Sequence, residues 1–295
     1  MSGTDSSTPL QALSASFAGL VAKAAPSIVS VRSRRFAASG FVWQQGLIVT
    51  PDETLADEGE IAVTLAGGET VPAAVVGRDP STDIALLRVE RSDLLPVTLT
   101  VADIAAGALT IVVGADAGAP TTALGMVARL GAAWRSLRGG AIDARIELDA
   151  SLRRRSEGGV VLDAYGQAIG MAVFAPRRRV LVIPAQTIER VAATLQSCGK
   201  VARGYLGLGL HRVSIDGSDT AGAIVISIDP QGPAAKAGFL QGDVLTTWNG
   251  QPLRHVFSLA RLLGPDSVGT IVTLGLRRAG EAREIPLTIG ERPAA

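Results

Sequence analysis

A mostly β chain, with two successive six-strand barrels followed by a smaller unit of strands and two helices, is what three observations predict. Hydrophobic residues make up 47% of the 295 residues, aromatics only 4%, and glycine occurs 34 times, a balance that suits short aliphatic strands joined by tight turns. Short apolar runs follow one another from Ser27 to Ile183 in two series of similar texture, and strand-like and helical runs alternate after Arg203. A chain of this length can bury two or three separate cores.

The elements follow in order. Leu10, Leu13, Phe17, Leu20, Val21 and Ala24 stand at helical spacing until Pro26 stops the pattern, so 1–26 reads as an N-terminal segment with a short helix. Runs at 28–31, 40–43, 47–50, 61–65, 70–76 and 84–89, separated by Gln45-Gly46, Gly67-Gly68 and Asp79-Pro80, give a first barrel over 27–102. Runs at 109–113, 123–130, 144–148, 159–162, 168–174 and 180–183 give a second barrel over 103–186. Ile188, Val191, Ala192, Leu195 and Cys198, with Gly199 as a stop, mark a linker helix over 187–202. The last unit, 203–292, carries strands at 205–210, 222–228, 243–248, 270–277 and 285–289, and helices at 233–237 and 256–263.

Charge and composition narrow the function classes. With 28 Lys+Arg against 27 Asp+Glu, the net charge of +1 argues against nucleic acid as the main partner. No run reaches the roughly 18 apolar residues of a membrane span. Met1 to Leu10 lack a basic region followed by an apolar one, so a cytoplasmic location is expected, or a periplasmic or extracytoplasmic one if a leader precedes the chain. A single cysteine, Cys198, and two histidines, His211 and His255, leave no internal disulfide and no Cys/His metal cluster, and no metal or cofactor is expected. Residues 51–100 hold ten acids against three arginines, whereas 121–180 hold ten arginines against five acids. The runs Arg153-Arg154-Arg155 and Arg177-Arg178-Arg179 read either as solvated loops or as an anionic-ligand site.

Several motifs carry a resemblance. Ser39-Gly-Phe-Val-Trp-Gln-Gln-Gly-Leu-Ile-Val-Thr50 and the stretch from Gly77-Arg-Asp-Pro-Ser-Thr-Asp83 to Arg88 resemble the trypsin-like HtrA/DegP serine proteases. Asp149-Ala-Ser-Leu152, Gly158-Gly159 and Asp163-Ala-Tyr-Gly-Gln-Ala-Ile-Gly170 resemble that family's segment around its nucleophile. Arg203-Gly-Tyr-Leu-Gly207, Gly232-Pro-Ala-Ala-Lys-Ala-Gly238 and Gly242-Asp-Val-Leu245 are similar to the PDZ domain that follows such a protease. The resemblance spans about Leu13 to Arg292. It implies two six-stranded trypsin-like β-barrels followed by a PDZ domain, a β-sandwich with two helices.

Position by position, the resemblance breaks where the chemistry should be. Such proteases need a serine nucleophile, a histidine base and an aspartate that orients it. The match puts Glu53 at the histidine position and Glu157 at the serine position, and it retains only Asp83. Ser156 lies one residue from the nucleophile position and lacks a base. Arg155 replaces the glycine that would aim an oxyanion amide, and an ordinary side chain makes that backbone conformation costlier. Loss of serine and histidine together removes about six orders of magnitude of turnover. For the three acids three readings stand: neutralisation by Arg153, Arg154 or Arg155, a carboxylate pair for acid/base chemistry, or a held cation.

In the PDZ-like part the resemblance implies a carboxylate-binding loop at Tyr205, Leu206, Gly207 and Leu208, and a groove helix at 256–263 that brings Leu259 and Leu263 to an apolar pocket. The expected protein is an inactive HtrA-like pseudoprotease that binds peptide or protein C-termini, with a scaffold or regulatory role. The alternative is an active trypsin-like endopeptidase with a non-standard site. An active HtrA homologue is a further expected partner, and the family resemblance implies a trimer through the segment from Leu10 to Ala25.

Overall fold

The computed structural model describes residues 8–34, 36–57, 59–214, 221–253 and 256–293. They fall into two units: one runs to Lys200 without 135–141, and the other consists of 135–141 and the chain from Val201 onward. The first unit opens with α1 (Pro9–Ala24), whose N-cap Thr8 accepts from the Gln11 amide. Six strands then close the first barrel: β1 (Ile28–Ser33), β2 (Phe36–Gln44), β3 (Leu47–Thr50), β4 (Ile61–Thr64), β5 (Thr70–Asp79) and β6 (Ile84–Val89), in the order β1-β2-β3-β6-β5-β4. Val29, Val31, Val42, Ile48, Val63 and Leu87 fill it, β-branched or aliphatic residues that pack well on a pleated inner face.

The second barrel consists of β7 (Leu109–Asp116), β8 (Ala119–Gly131), β11 (Arg145–Ala150), β12 (Val160–Asp163), β13 (Ala168–Ala175) and β14 (Arg179–Pro184). It closes in the order β11-β14-β13-β12-β7-β8. A two-strand ribbon, β9 (Trp134–Arg135) with β10 (Ala141–Ile142), interrupts the chain between β8 and β11. The trypsin-like double barrel expected from the sequence is therefore present.

A buried serine joins the two barrels. Ser39 on β2 donates its hydroxyl to the Arg155 carbonyl at 2.7 Å and accepts the Ala115 amide at 2.9 Å, and its own amide donates to the Glu157 carbonyl at 2.7 Å. Gly114 faces it, and a Cβ there would come within 2.6 Å of the Ser39 hydroxyl oxygen. Ser39→Ala strands the buried Ala115 amide. A loss of about 1–3 kcal/mol is expected, the cost of an unsatisfied buried donor, read as a lower denaturant midpoint at unchanged slope.

Helix α2 (Ala185–Cys198) buries Ile188, Val191, Ala192 and Leu195 on one face. It packs on β5 and β6 of the first barrel and on β13 and β14 of the second. Sequence reading made this stretch a linker, whereas the structure makes it a strap across both barrels. It ends at Gly199, whose φ of 70° a side chain rarely adopts, and its terminus lies so close to β5 that a Cβ on Gly77 would meet the Gly199 carbonyl oxygen at 2.4 Å.

The second unit has the PDZ-like sheet: β15 (Gly204–Tyr205), β16 (Leu208–Ser214), β17 (Ala221–Ile228), α3 (Pro233–Lys236), β18 (Val244–Trp248), β19 (Gln251–Pro252), α4 (Val256–Leu262), β20 (Ile271–Arg278), β21 (Glu281–Thr288) and β22 (Gly290–Glu291). The main sheet runs β16-β17-β18-β20-β21, which leaves β16 at an edge, while β15 pairs with β22. Leu245, Leu274 and Leu276 are fully enclosed in its core. Strand β21 starts at Glu281, earlier than the Ile285 expected. No helix among the described residues is long and apolar enough to cross a membrane.

Candidate functional site

Glu53 sits on a 3-10 turn, Asp52–Thr54, directly after β3. Asp83 closes the loop between β5 and β6, and buried Asp79 shapes that loop by accepting the Ser81 amide at 3.1 Å and the Thr82 hydroxyl at 2.7 Å. The φ of Asp83 is 57°, a left-handed conformation that aspartate tolerates better than most side chains. Its Oδ1 accepts the Glu53 amide at 2.8 Å. Asp83 therefore still reaches residue 53, but it engages backbone where the family's aspartate would hold an imidazole. Burial pushes the Asp83 carboxyl up to about 8; the Glu53 amide opposes this, while the charges of Glu53, Glu157 and Asp52 add to it. Asp52, buried beside this pair, is ion-paired with Arg78.

Glu157 follows a second 3-10 turn, Arg154–Ser156, and its Oε1 accepts the Phe174 amide at 3.0 Å. Burial raises its carboxyl above the usual range. The Phe174 amide works against this, the Glu53 charge adds to it, and Arg154 and Arg178 oppose it. The neutralisation expected from the Arg153–Arg155 run takes a different form. Arg155 pairs with Asp116 at 2.8 Å, because its side chain leaves the turn towards the end of β7, and no arginine forms an ion pair with Glu157 among the described residues. Nor do three or more acidic, imidazole or thiol groups gather to hold a metal ion among those residues.

Ser156 points away from this cluster. It is 2% exposed, and its hydroxyl lies 2.8 Å from the Thr121 hydroxyl on β8. The amides around it also turn inward: Ser156 donates to Arg153, Glu157 to Arg154, Gly158 to Ala172 and Gly159 to Ser156. Stabilising a tetrahedral oxyanion requires amides free to meet it, and these four are committed to carbonyls. Sequence reasoning missed the partners Phe174, Thr121 and Arg78, since each comes from a strand distant in the chain.

In the second unit, Gly207 turns the chain at φ 77° and its carbonyl accepts the Asp229 amide at 2.9 Å, while the Leu206 carbonyl accepts the Ala234 amide at 2.8 Å. The amides of Leu206 and Gly207 have no acceptor among the described residues. Tyr205 anchors the loop through its hydroxyl, which donates to Asp229 at 3.0 Å. Leu206, read as part of the carboxylate-binding loop, and Leu259, read as lining its pocket, are both buried in the core cluster of the second unit. Leu208, Leu210 and Leu263 keep accessible surface. Of the histidines, His211 is exposed on β16, and His255 lies outside the described residues.

Comparison with known proteins matches residues 38–171 to the trypsin-like peptidase domain and 204–289 to the PDZ domain. A probable periplasmic serine endoprotease, DegP-like, of Pseudomonas fluorescens is 32% identical over 270 residues, which cover 86% of this chain and 56% of the relative. Its counterpart from Bartonella henselae is 31% identical over 277 residues, covering 89% and 54%. The chain spans a little over half the length of these curated relatives. Among solved structures, the serine endoprotease from Yersinia pestis aligns with a TM-score of 0.69 at 25% identity, covering 94% of this chain and 98% of that one. The HtrA-type protease AlgW with decapeptide aligns at 0.69 and 23% identity, covering 95% and 99%, a likeness of fold.

Proposed function

Because the chain belongs to the HtrA/DegP-like trypsin-fold proteins with a PDZ domain, we propose that it is a pseudoprotease that binds polypeptide C-termini and serves as a scaffold or regulator. The observation that carries this reading is the state of the cleft. By the motif match, Glu53 and Glu157 stand at the histidine and serine positions, the neighbouring Ser156 is hydrogen-bonded to Thr121, and the surrounding amides are committed to carbonyls. The alternative, an active endopeptidase with a non-standard site, draws its support from the name serine endoprotease carried by the relatives.

Two features of the second unit support peptide capture: the unengaged amides of Leu206 and Gly207, and the open edge of β16 with Leu208 and Leu263 beside it. An extended peptide adds to such an edge as a strand while loop amides hold its terminal carboxylate. Peptides ending in Val, Leu, Ile or Phe are expected to bind the full chain with affinity of about 1 μM, roughly −8 kcal/mol. Amidating the terminus should weaken binding about tenfold or more, the worth of a charge-assisted hydrogen bond. Equal affinity for acid and amide peptides in a calorimetric titration would refute the capture mode.

Assembly and location complete the proposal. Leu10 and Leu13 on α1 are 75% and 46% exposed, apolar surface that a trimer through the N-terminal segment would cover. An active homologue is a second candidate partner for the same face. The periplasmic names of the relatives favour an extracytoplasmic location, which cell fractionation tests.

A further inference from the structure

Arg154 and Arg178, from two arginine triplets far apart in the chain, both act by charge on the carboxylate of Glu157 without an ion pair to it among the described residues. Glu157, at the end of the turn that carries Arg153 to Arg155, accepts the amide of Phe174 at 3.0 Å. The Phe174 ring lies beneath the Arg178 guanidinium at 5.0 Å, so the turn after β11 and the β13–β14 connection share an edge. Arg177 and Arg178 both have positive φ, 63° and 57°, a conformation that costs a residue with a side chain about 1 kcal/mol or more. Surrounding structure, and not local preference, therefore sets where these two side chains stand.

The charge at this edge is only partly offset, by Glu157. Arg153, Arg154, Arg177 and Arg178 are exposed, and none forms an ion pair among the described residues. On the adjoining outer face of β8, β11 and β14, three guanidiniums, those of Arg129, Arg145 and Arg179, share the single carboxylate of Glu147 at 3.9, 2.6 and 3.3 Å. Exposed like charges repel one another and raise the local potential, which an anionic ligand relieves. Guanidinium groups also meet carboxylates in a planar two-bond fork that a hydrated ammonium cannot match.

We propose that this edge of the second barrel is a docking surface for an acidic segment of a partner polypeptide, whose carboxylates seat between Arg153–Arg154 and Arg177–Arg178. A peptide is favoured over nucleic acid by the acids set into the same region. Glu147 and Glu157 interrupt the basic surface, so an evenly charged polyanion crossing it would meet them, whereas a peptide can space its carboxylates around them. The inference stands apart from C-terminal capture by the second unit.

The test uses the full chain and a fluorescein-labelled decaglutamate with an amidated C-terminus, which offers no terminal carboxylate to the Leu206–Gly207 loop. Saturable anisotropy that weakens as salt is added is expected. Arg154→Ala with Arg178→Ala should lower affinity about tenfold or more while the protein stays folded by circular dichroism. Arg154→Glu with Arg178→Glu should abolish binding of decaglutamate and create binding of amidated decalysine, a gain that misfolding cannot mimic. Absence of saturable binding, affinity unchanged in both variants, or equal or tighter binding of decathymidylate would overturn the proposal.

Discussion

Unfolded casein incubated with the purified protein is expected to remain intact, and a fluorophosphonate probe should leave the protein unlabelled. The probe reports a serine whose proton is taken by a neighbouring base, and Ser156 has the Thr121 hydroxyl as its neighbour, inside the second barrel. Relative to an intact site, the missing serine and histidine amount to about six orders of magnitude in turnover. Restoring them as Glu53→His with Glu157→Ser is expected to recover little, since the amides of residues 156 to 159 remain bonded to carbonyls and each lost oxyanion donor costs about 10²–10³-fold. Adding Arg155→Gly should raise that residual rate by allowing the 3-10 turn to reopen. Labelling of the natural chain that vanishes in Ser156→Ala would establish an active serine and end the pseudoprotease reading.

Asp83→Asn is expected to stabilise the protein at neutral and alkaline pH. In the unfolded chain an aspartate releases its proton near pH 4, whereas Asp83 in the fold holds its proton up to about pH 8. Across that window the native state binds more protons than the unfolded state, so this group makes stability fall as pH rises. Its contribution is flat below about pH 4 and above about pH 8. Four units at about 1.4 kcal/mol each set an upper bound of about 6 kcal/mol, and because Asp83 keeps some solvent access about 2–3 kcal/mol is the expected gain. Asparagine retains the oxygen that accepts the Glu53 amide and tolerates positive φ. Urea midpoints of the two proteins should coincide near pH 4 and diverge towards pH 8. Parallel curves across that range would show that Asp83 is ionised throughout.

The barrels were legible because each strand is a short aliphatic run closed by a turn residue, and Gly46, Gly67 and Gly68 all prove to have positive φ. Strand β21 was half hidden. Glu281 to Glu284 lie exposed on an edge strand, and pairing with β20 holds them without any apolar alternation. The departure of Glu53 and Glu157 from the family's motif was visible from position alone. Where its substitutes point was not, because Thr121, Phe174 and Asp116 reach the loop only through barrel closure. The leucines of the second unit show the same limit. Leu206 and Leu208 are separated by a single glycine, yet one is buried in the core and the other only partly buried against it, a distinction that follows the turn at Gly207.

Ser39 also orders events during synthesis. Its hydroxyl partners lie 76 and 116 residues further along the chain, and at about 5–20 residues per second the ribosome needs roughly 6–23 s to make the second of them. The first barrel holds all six strands only once β6 ends at Val89, and from there to Arg155 it still lacks one or both partners of the Ser39 hydroxyl. Until then the Ser39 hydroxyl has water in place of its later partners. The step that completes the Ser39 contacts is the arrival of the turn at Arg155, so this turn has a structural task in joining the two barrels that is independent of any chemistry it carries.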